Sequence, residues 1–162
     1  MRDILRVLAI MLVSIAMALS LAHALELPGK RRLDERTYRA VQPIYYPGFT
    51  YGGLVGDVGG LVAAAVLLAM TPVGTAAFWL TAAAFLCLLG MHGVYWLLTH
   101  PVNKVWLHDQ ALTDSGRKFF AAGRSDSADR PWTELRDRWE YSHVARAILA
   151  TISLLLLVLP SR

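Results

Sequence analysis

The sequence predicts an all-α integral membrane four-helix bundle, with spans at about 4–27, 49–70, 75–99 and 141–159, and with the last helix extended out of the membrane from about residue 130. Three observations carry that reading. Hydrophobic residues make up 56% of the 162 positions and the mean hydropathy is +0.43, too apolar for a soluble domain of this size. The charges are segregated, with none between Arg6 and Glu26 and none between Asp57 and Lys104 apart from two histidines; those gaps are membrane-length. The basic residues gather beside the apolar runs, where they orient helices and meet anionic headgroups. The net charge of +4 therefore points to the lipid bilayer as partner and to no nucleic acid. All of 1–162 reads as a single transmembrane domain, with 28–45 an interfacial loop holding a short helix and 101–140 a polar cytoplasmic loop with the start of helix four.

The first span runs from about Asp3 to Leu27. Its basic start (Arg2, Arg6) and Ala22-His23-Ala24 imitate a cleavable signal peptide, but the apolar run is longer than such a segment needs. Cleavage would also leave an odd number of spans and place basic loops outside. Pro28-Gly29 opens the first loop and Pro43 closes it. Within it Leu33, Thr37, Tyr38 and Val41 share one side at helical spacing, away from Arg36 and Arg39, which suits a short helix lying in the interface. Tyr45 and Tyr46 then fit the headgroup level.

The second span carries Gly52, Gly56 and Gly60, continued by Ala64, at intervals of four. Small residues in that pattern let another helix approach closely, in this chain or in a second copy. A homo-oligomer through Gly52, Gly56 and Gly60 is one expectation. Asp57 interrupts the ladder, either solvated near the interface or a turn or two inside, where it wants a partner. Thr71-Pro72-Val73-Gly74 turns into the third span, whose later half sets His92, Trp96, Thr99, His100 and Asn103 within about a quarter-turn of one another. Pro101 ends that helix or kinks it. Cys87 lies in an apolar run and has no second cysteine to pair with.

Residues His108 to Asp129 are turn-rich and read as a loop outside the membrane. Asp129 as cap and Pro131 in the first turn start the last helix, with Trp132 and Trp139 as interface anchors. Its uncharged run, Ala147 to Pro160, rises only about 21 Å, so a spanning helix must take His143 and Arg146 into the membrane. Ionisable residues there are functional-site hypotheses by default.

Lys30, Arg31, Arg32, Arg36 and Arg39 of the first loop and Lys104, Arg117, Lys118, Arg124, Arg130, Arg136 and Arg138 of the second share one side in a four-span topology. The positive-inside bias makes that side the cytoplasm of a bacterial inner membrane and places both termini outside. The same count brings His23, Glu26, Tyr45, Tyr46, Asp57, His92, Trp96, His100, Asn103, Trp139, Glu140, His143 and Arg146 toward one face, where they are candidates to line one pocket.

Two spacings there resemble metal-ligand chemistry. His23-x-x-Glu26 and Glu140-x-x-His143 each set an imidazole and a carboxylate on one helix face, as carboxylate-bridged sites in bundles do. The match is partial, because one pair is reversed and the two further glutamates are missing. A metal on His23, Glu26, Glu140 and His143, haem held by two histidines, and a cofactor-free buried polar network all stay open.

His23-x-Leu-Glu-x-Pro-x-Lys, Tyr38-x-x-Val-Gln-Pro-Ile-Tyr-Tyr-Pro-Gly-Phe-x-x-x-Gly, His100-Pro-Val-Asn and Arg138-Trp-Glu-x-x-His-x-x-Arg together resemble a family of small four-span bacterial membrane proteins of unknown function related to the anthrone oxygenases. The resemblance implies a four-helix bundle with one shared polar pocket. Anthrone oxygenases are similar to cofactor-independent monooxygenases, which oxidise an electron-rich phenolic substrate with dioxygen and need mainly a base and a dry pocket. The first-loop motif with its tyrosines departs from that pattern, and the resemblance assigns no catalytic residue.

Two functions follow as expectations. One is an intramembrane oxygenase or redox enzyme for a hydrophobic aromatic or quinone-like molecule, with His143 or His23 as base, Arg146 stabilising the anion, and Tyr45, Tyr46, Trp96 and Trp139 as walls. The other is a non-catalytic protein that binds a lipid or a partner protein through the basic loops and the glycine ladder. Transport is weaker than either, since four spans without inverted repeats offer little alternating-access machinery.

Overall fold

The computed structural model describes residues 1–107, 114–121 and 130–159. Those residues form six helices: α1 (Arg2–Lys30), α2 (Glu35–Val41), α3 (Gly48–Ala69), α4 (Ala76–Trp106), α5 (Asp114–Ala121) and α6 (Trp132–Val158). No strand occurs among them. The helices α1, α3, α4 and α6 are each long and apolar enough to cross a membrane. Each packs on two of the others in the cyclic order α1, α3, α4, α6, which makes an all-α membrane bundle.

Packing follows from residue size. On α1 the buried stripe is Ala9, Val13, Ala16, Ser20 and His23, a spacing of three and four that keeps one face inward. The glycine ladder of α3 lies against that stripe. A Cβ on Gly56 would come 2.7 Å from the Ala16 backbone nitrogen, one on Gly60 would come 3.2 Å from Val13, and one on Gly52 would come 2.8 Å from Leu19. The small residues expected to serve a homo-oligomer are therefore covered by α1 of the same chain. Below them Ala63, Ala64, Leu67, Ala84, Leu88 and Leu157 close the apolar core.

Helix ends are set locally. Thr75 caps α4 by accepting from the Phe78 amide, and Gly74 supplies the one left-handed residue of the turn before it, at φ 85°. At the far end of α6 the last carbonyls lack helical partners, and Arg6 Nε donates to Leu157 O at 2.8 Å.

Several expected boundaries shift. The first helix continues through Pro28 to Lys30 and does not stop near Leu27. The last helix, expected from about residue 130, begins at Trp132 with Pro131 before it, while Asp129, the expected cap, lies outside the described residues. Pro101 neither ends α4 nor leaves it regular: the helix runs on to Trp106 after a π-helical turn at Tyr95–Thr99. A second π turn, Leu54–Val58, interrupts α3 at the level of Asp57. Proline at 101 has no N–H for Leu97 O, and Arg138 Nη2 donates to that oxygen instead at 2.6 Å.

The loop helix α2 is capped by Asp34, whose carboxylate accepts from the Thr37 amide at 2.8 Å. Tyr38 on α2 is fully buried and packs with Val102, Trp106, Leu135 and Trp139. The apolar side of α2 is turned to protein. Trp139, expected as an interface anchor, is buried there for the same reason.

Candidate functional site

A cavity of about 390 Å³ opens among α1, α3, α4 and α6 at the end of the bundle that carries the basic loops. His23, Tyr45, Tyr46, Asp57, His92, Trp96, Asn103, Trp139, His143 and Arg146 line it, ten of the thirteen residues singled out from the sequence. Glu26, Glu140 and His100 are not among its lining residues.

Periodicity brings His143 and Arg146 inward. Trp139, His143, Arg146 and Ala150 recur at three and four on α6, and all four are buried. His143 Nδ1 lies 2.9 Å from Trp139 O. A carbonyl only accepts, so Nδ1 carries the hydrogen, and Nε2 is the nitrogen left with a lone pair. The same argument holds for His92, whose Nδ1 sits 2.9 Å from Leu88 O and whose buried Nε2 has no hydrogen-bond partner among the described residues. The His143 ring meets that of His23 edge to face, centroids 4.3 Å apart, and that of Trp139 at 4.1 Å. Tyr45 and Phe49 press on His23 from its other sides, at 4.5 and 4.6 Å.

Arg146 is charge-paired across the cavity. Its Nη2 donates to Asp57 Oδ2 at 2.5 Å, and the guanidinium lies 5.2 Å above the Tyr95 ring. Asp57 is thus inside the bundle with a partner, held by the π turn of α3. Asn103 Oδ1 accepts from Trp139 Nε1 at 2.7 Å, and Thr99 shares a 2.8 Å hydrogen bond with Ser142; both bonds tie α4 to α6 at the cavity wall. Trp96 is half-exposed, and its ring contacts that of His100 at 4.9 Å.

Behind the wall lies a cluster that turns on Lys30, which the sequence reading left among the loop cations. Its Nζ is 2.8 Å from Glu26 Oε2, 3.6 Å from Glu140 Oε1, and 4.5 Å from the ring centroids of both Tyr45 and Trp139. Tyr45 donates to Glu26 at 2.6 Å and Tyr38 donates to Glu140 at 2.9 Å. Burial first, and then the neighbouring carboxylate, push both phenols above their ordinary range, so they stay protonated and serve as donors. The signal for Lys30 was its spacing, seven residues after His23 and four after Glu26 on a helix that does not stop at Pro28.

These residues do not fit the metal site that the spacings left open. A cation bridging Glu26 and Glu140 would stand where the Lys30 ammonium stands, and His23 and Glu140 turn to different partners. Among the described residues no three His, Cys, Asp or Glu side chains are grouped to hold a metal ion. Haem held between His23 and His143 does not fit either, because the two rings touch and leave no room for a macrocycle between them.

Four apolar helices that close around a shared cavity of imidazole, guanidinium and aromatic groups define a multi-pass α-helical membrane protein. The model of the anthrone oxygenase family matches residues 48–156, and the chain belongs to that family. That match covers α3, α4 and α6 and with them Asp57, His92, His143 and Arg146. Comparison with curated proteins and with solved structures gives no match.

Proposed function

We propose that the protein is an intramembrane oxygenase that oxidises a lipophilic aromatic with an acidic C–H or O–H group, such as an anthrone, using dioxygen. His143 is the base and Arg146 the partner of the anion. The observation that carries this reading is the fixed orientation of His143: Nδ1 is held by Trp139 O, so Nε2 is the lone-pair nitrogen in a cavity that also holds the Arg146 guanidinium.

With anthrone the reaction begins at the methylene carbon. His143 Nε2 takes a proton from the methylene carbon, and the electron pair moves through the ring onto the carbonyl oxygen. The resulting aromatic oxyanion is held by Arg146, which Asp57 orients. The anion gives an electron to dioxygen; the two radicals join at the former methylene carbon, and the peroxide takes back the proton. Loss of the second hydrogen from that carbon, with cleavage of the O–O bond, yields the second carbonyl and water. Anthrone and dioxygen become anthraquinone and water, and each product receives one atom of the dioxygen. Aromatic walls at Tyr45, Phe49 and Trp139 exclude water from the anion.

Charge distribution supports a bacterial inner-membrane location for this single domain. Lys30, Arg31, Arg36, Arg39, Lys104, Arg136 and Arg138 lie at the cavity end, and the positive-inside bias supports a cytoplasmic cavity end with both termini outside. The non-catalytic alternative loses one support, since the ladder glycines are covered within the chain.

The test is oxygen uptake and anthraquinone formation by the detergent-purified protein with anthrone, repeated with 18O-labelled dioxygen. His143→Ala is expected to lower turnover by about 10²–10⁴-fold. If His143→Ala and Arg146→Ala both turn over anthrone as the parent does, the assignment is wrong.

A further inference from the structure

The cavity is most exposed on one flank. Its lining residues Gln42, Trp106, Leu107 and Trp139 are all buried. The exposed ones are Tyr51, Leu54, Val58 and Trp96, on α3 and α4, and Phe119 of α5, whose ring lies 5.9 Å from that of Trp96. Helices α3 and α4 pack along Gly59–Ala69 and Ala76–Val94 but part at their π turns. A π turn adds a residue to one turn of helix and throws the following side chains out of register, and such turns concentrate at functional sites. Here each of the two helices that flank the opening carries one, at the level of the cavity.

The surface around this opening is apolar. Val55, Val58, Leu97 and Leu98 are exposed beside it. Leu54 lies about 9 Å along the helix from Gly48, and Trp96 about 30 Å along α4 from Ala76, so the opening sits at the edge of a hydrocarbon core roughly 30 Å thick.

We propose that the cavity takes its ligand sideways from the bilayer, through a mouth between α3 and α4 rimmed by Tyr51, Leu54 and Trp96. The ligand class that follows is a flat aromatic molecule which dissolves in lipid, not a water-soluble phenol. The class rests on the function proposed above, whereas the route rests on the mouth alone.

Only rates distinguish routes, because equilibrium affinity is the same whichever way the ligand arrives. The experiment follows anthrone association and dissociation by quenching of tryptophan fluorescence, with the full chain in phosphatidylcholine liposomes. Leu54→Phe combined with Val58→Phe narrows the mouth and is expected to slow both rates about tenfold while the dissociation constant stays within twofold. Trp96→Ala widens it and is expected to speed both rates several-fold. Ile148→Phe, on an exposed face of α6 away from the mouth, is expected to change neither.

Rates indifferent to both mouth variants, or a weakened affinity with unchanged association, overturn the route. No saturable anthrone binding by the parent overturns the ligand class. Binding without oxidation removes the function proposed above and leaves the route standing; oxidation with rates indifferent to the mouth does the reverse.

Discussion

Arg146 and Asp57 are 89 residues apart in sequence and 2.5 Å apart in space, and their pairing joins α6 to the π turn of α3 across the cavity. Removing one member strands the other charge. Asp57→Ala is expected to destabilise the protein by about 3 kcal/mol, the scale for breaking a buried ion pair. Asp57→Leu combined with Arg146→Met should recover most of that loss in thermal unfolding in detergent, though not the oxidation of anthrone.

Lys30 offers a second test of the same physics. Its ammonium is held between Glu26 and Glu140. Lys30→Met leaves two carboxylates facing each other without it and is expected to cost about 3–5 kcal/mol. Adding Glu140→Gln should restore part of the difference, because Tyr38 still finds an acceptor there. Equal melting temperatures for Lys30→Met and the double variant would contradict the arrangement.

The Gly56 contact is with backbone, and backbone does not move aside. Gly56→Ala is expected to cost about 1–3 kcal/mol through overpacking. Gly59→Ala should cost less, since its nearest neighbour, at 3.3 Å, is the tip of the Leu12 side chain, which can rotate away. Chemical denaturation of the two variants side by side checks the order.

Arg138 and Pro101 form a cycle. Arg138→Ala deprives Leu97 O of its donor, a loss of about 1–3 kcal/mol. Pro101→Ala supplies a backbone N–H for that oxygen, so Arg138→Ala should cost much less in a Pro101→Ala background. Additive effects in a double-mutant cycle would show that the two residues do not share the acceptor.

Acid should loosen α2 before the bundle. The Thr37 amide holds the Asp34 carboxyl below its ordinary range. A depressed folded value means that the stabilisation is present above the unfolded value and is lost as pH falls through the folded one. Hydrogen exchange at the Thr37 amide should therefore lose protection on acidification, and Asp34→Asn, a cap at any pH, should abolish that dependence.

Much of the architecture was readable because it follows from charge. The gaps between Arg6 and Glu26 and between Asp57 and Lys104 mark spans without any knowledge of contacts, and the odd placement of His143 and Arg146 pointed to the site. What escaped was pairing. Nothing local in Pro28-Gly29 says that the helix continues and carries Lys30 to Glu140, 110 residues on. The aromatic Trp139 looked like a headgroup anchor because its amphipathic ring suits both places, and only Asn103 and the two histidines decide between them. Depth was equally hidden for Asp57, since a π turn leaves no mark in composition.

The Glu140 carboxylate also bears on how the protein is made. It is fully buried in the last helix, and both groups that meet its Oε1, from Tyr38 and Lys30, belong to the first quarter of the chain. During synthesis this carboxylate has neither partner until α6 meets α1 and the first loop. Assembly thus closes like a clasp between the earliest and latest translated segments.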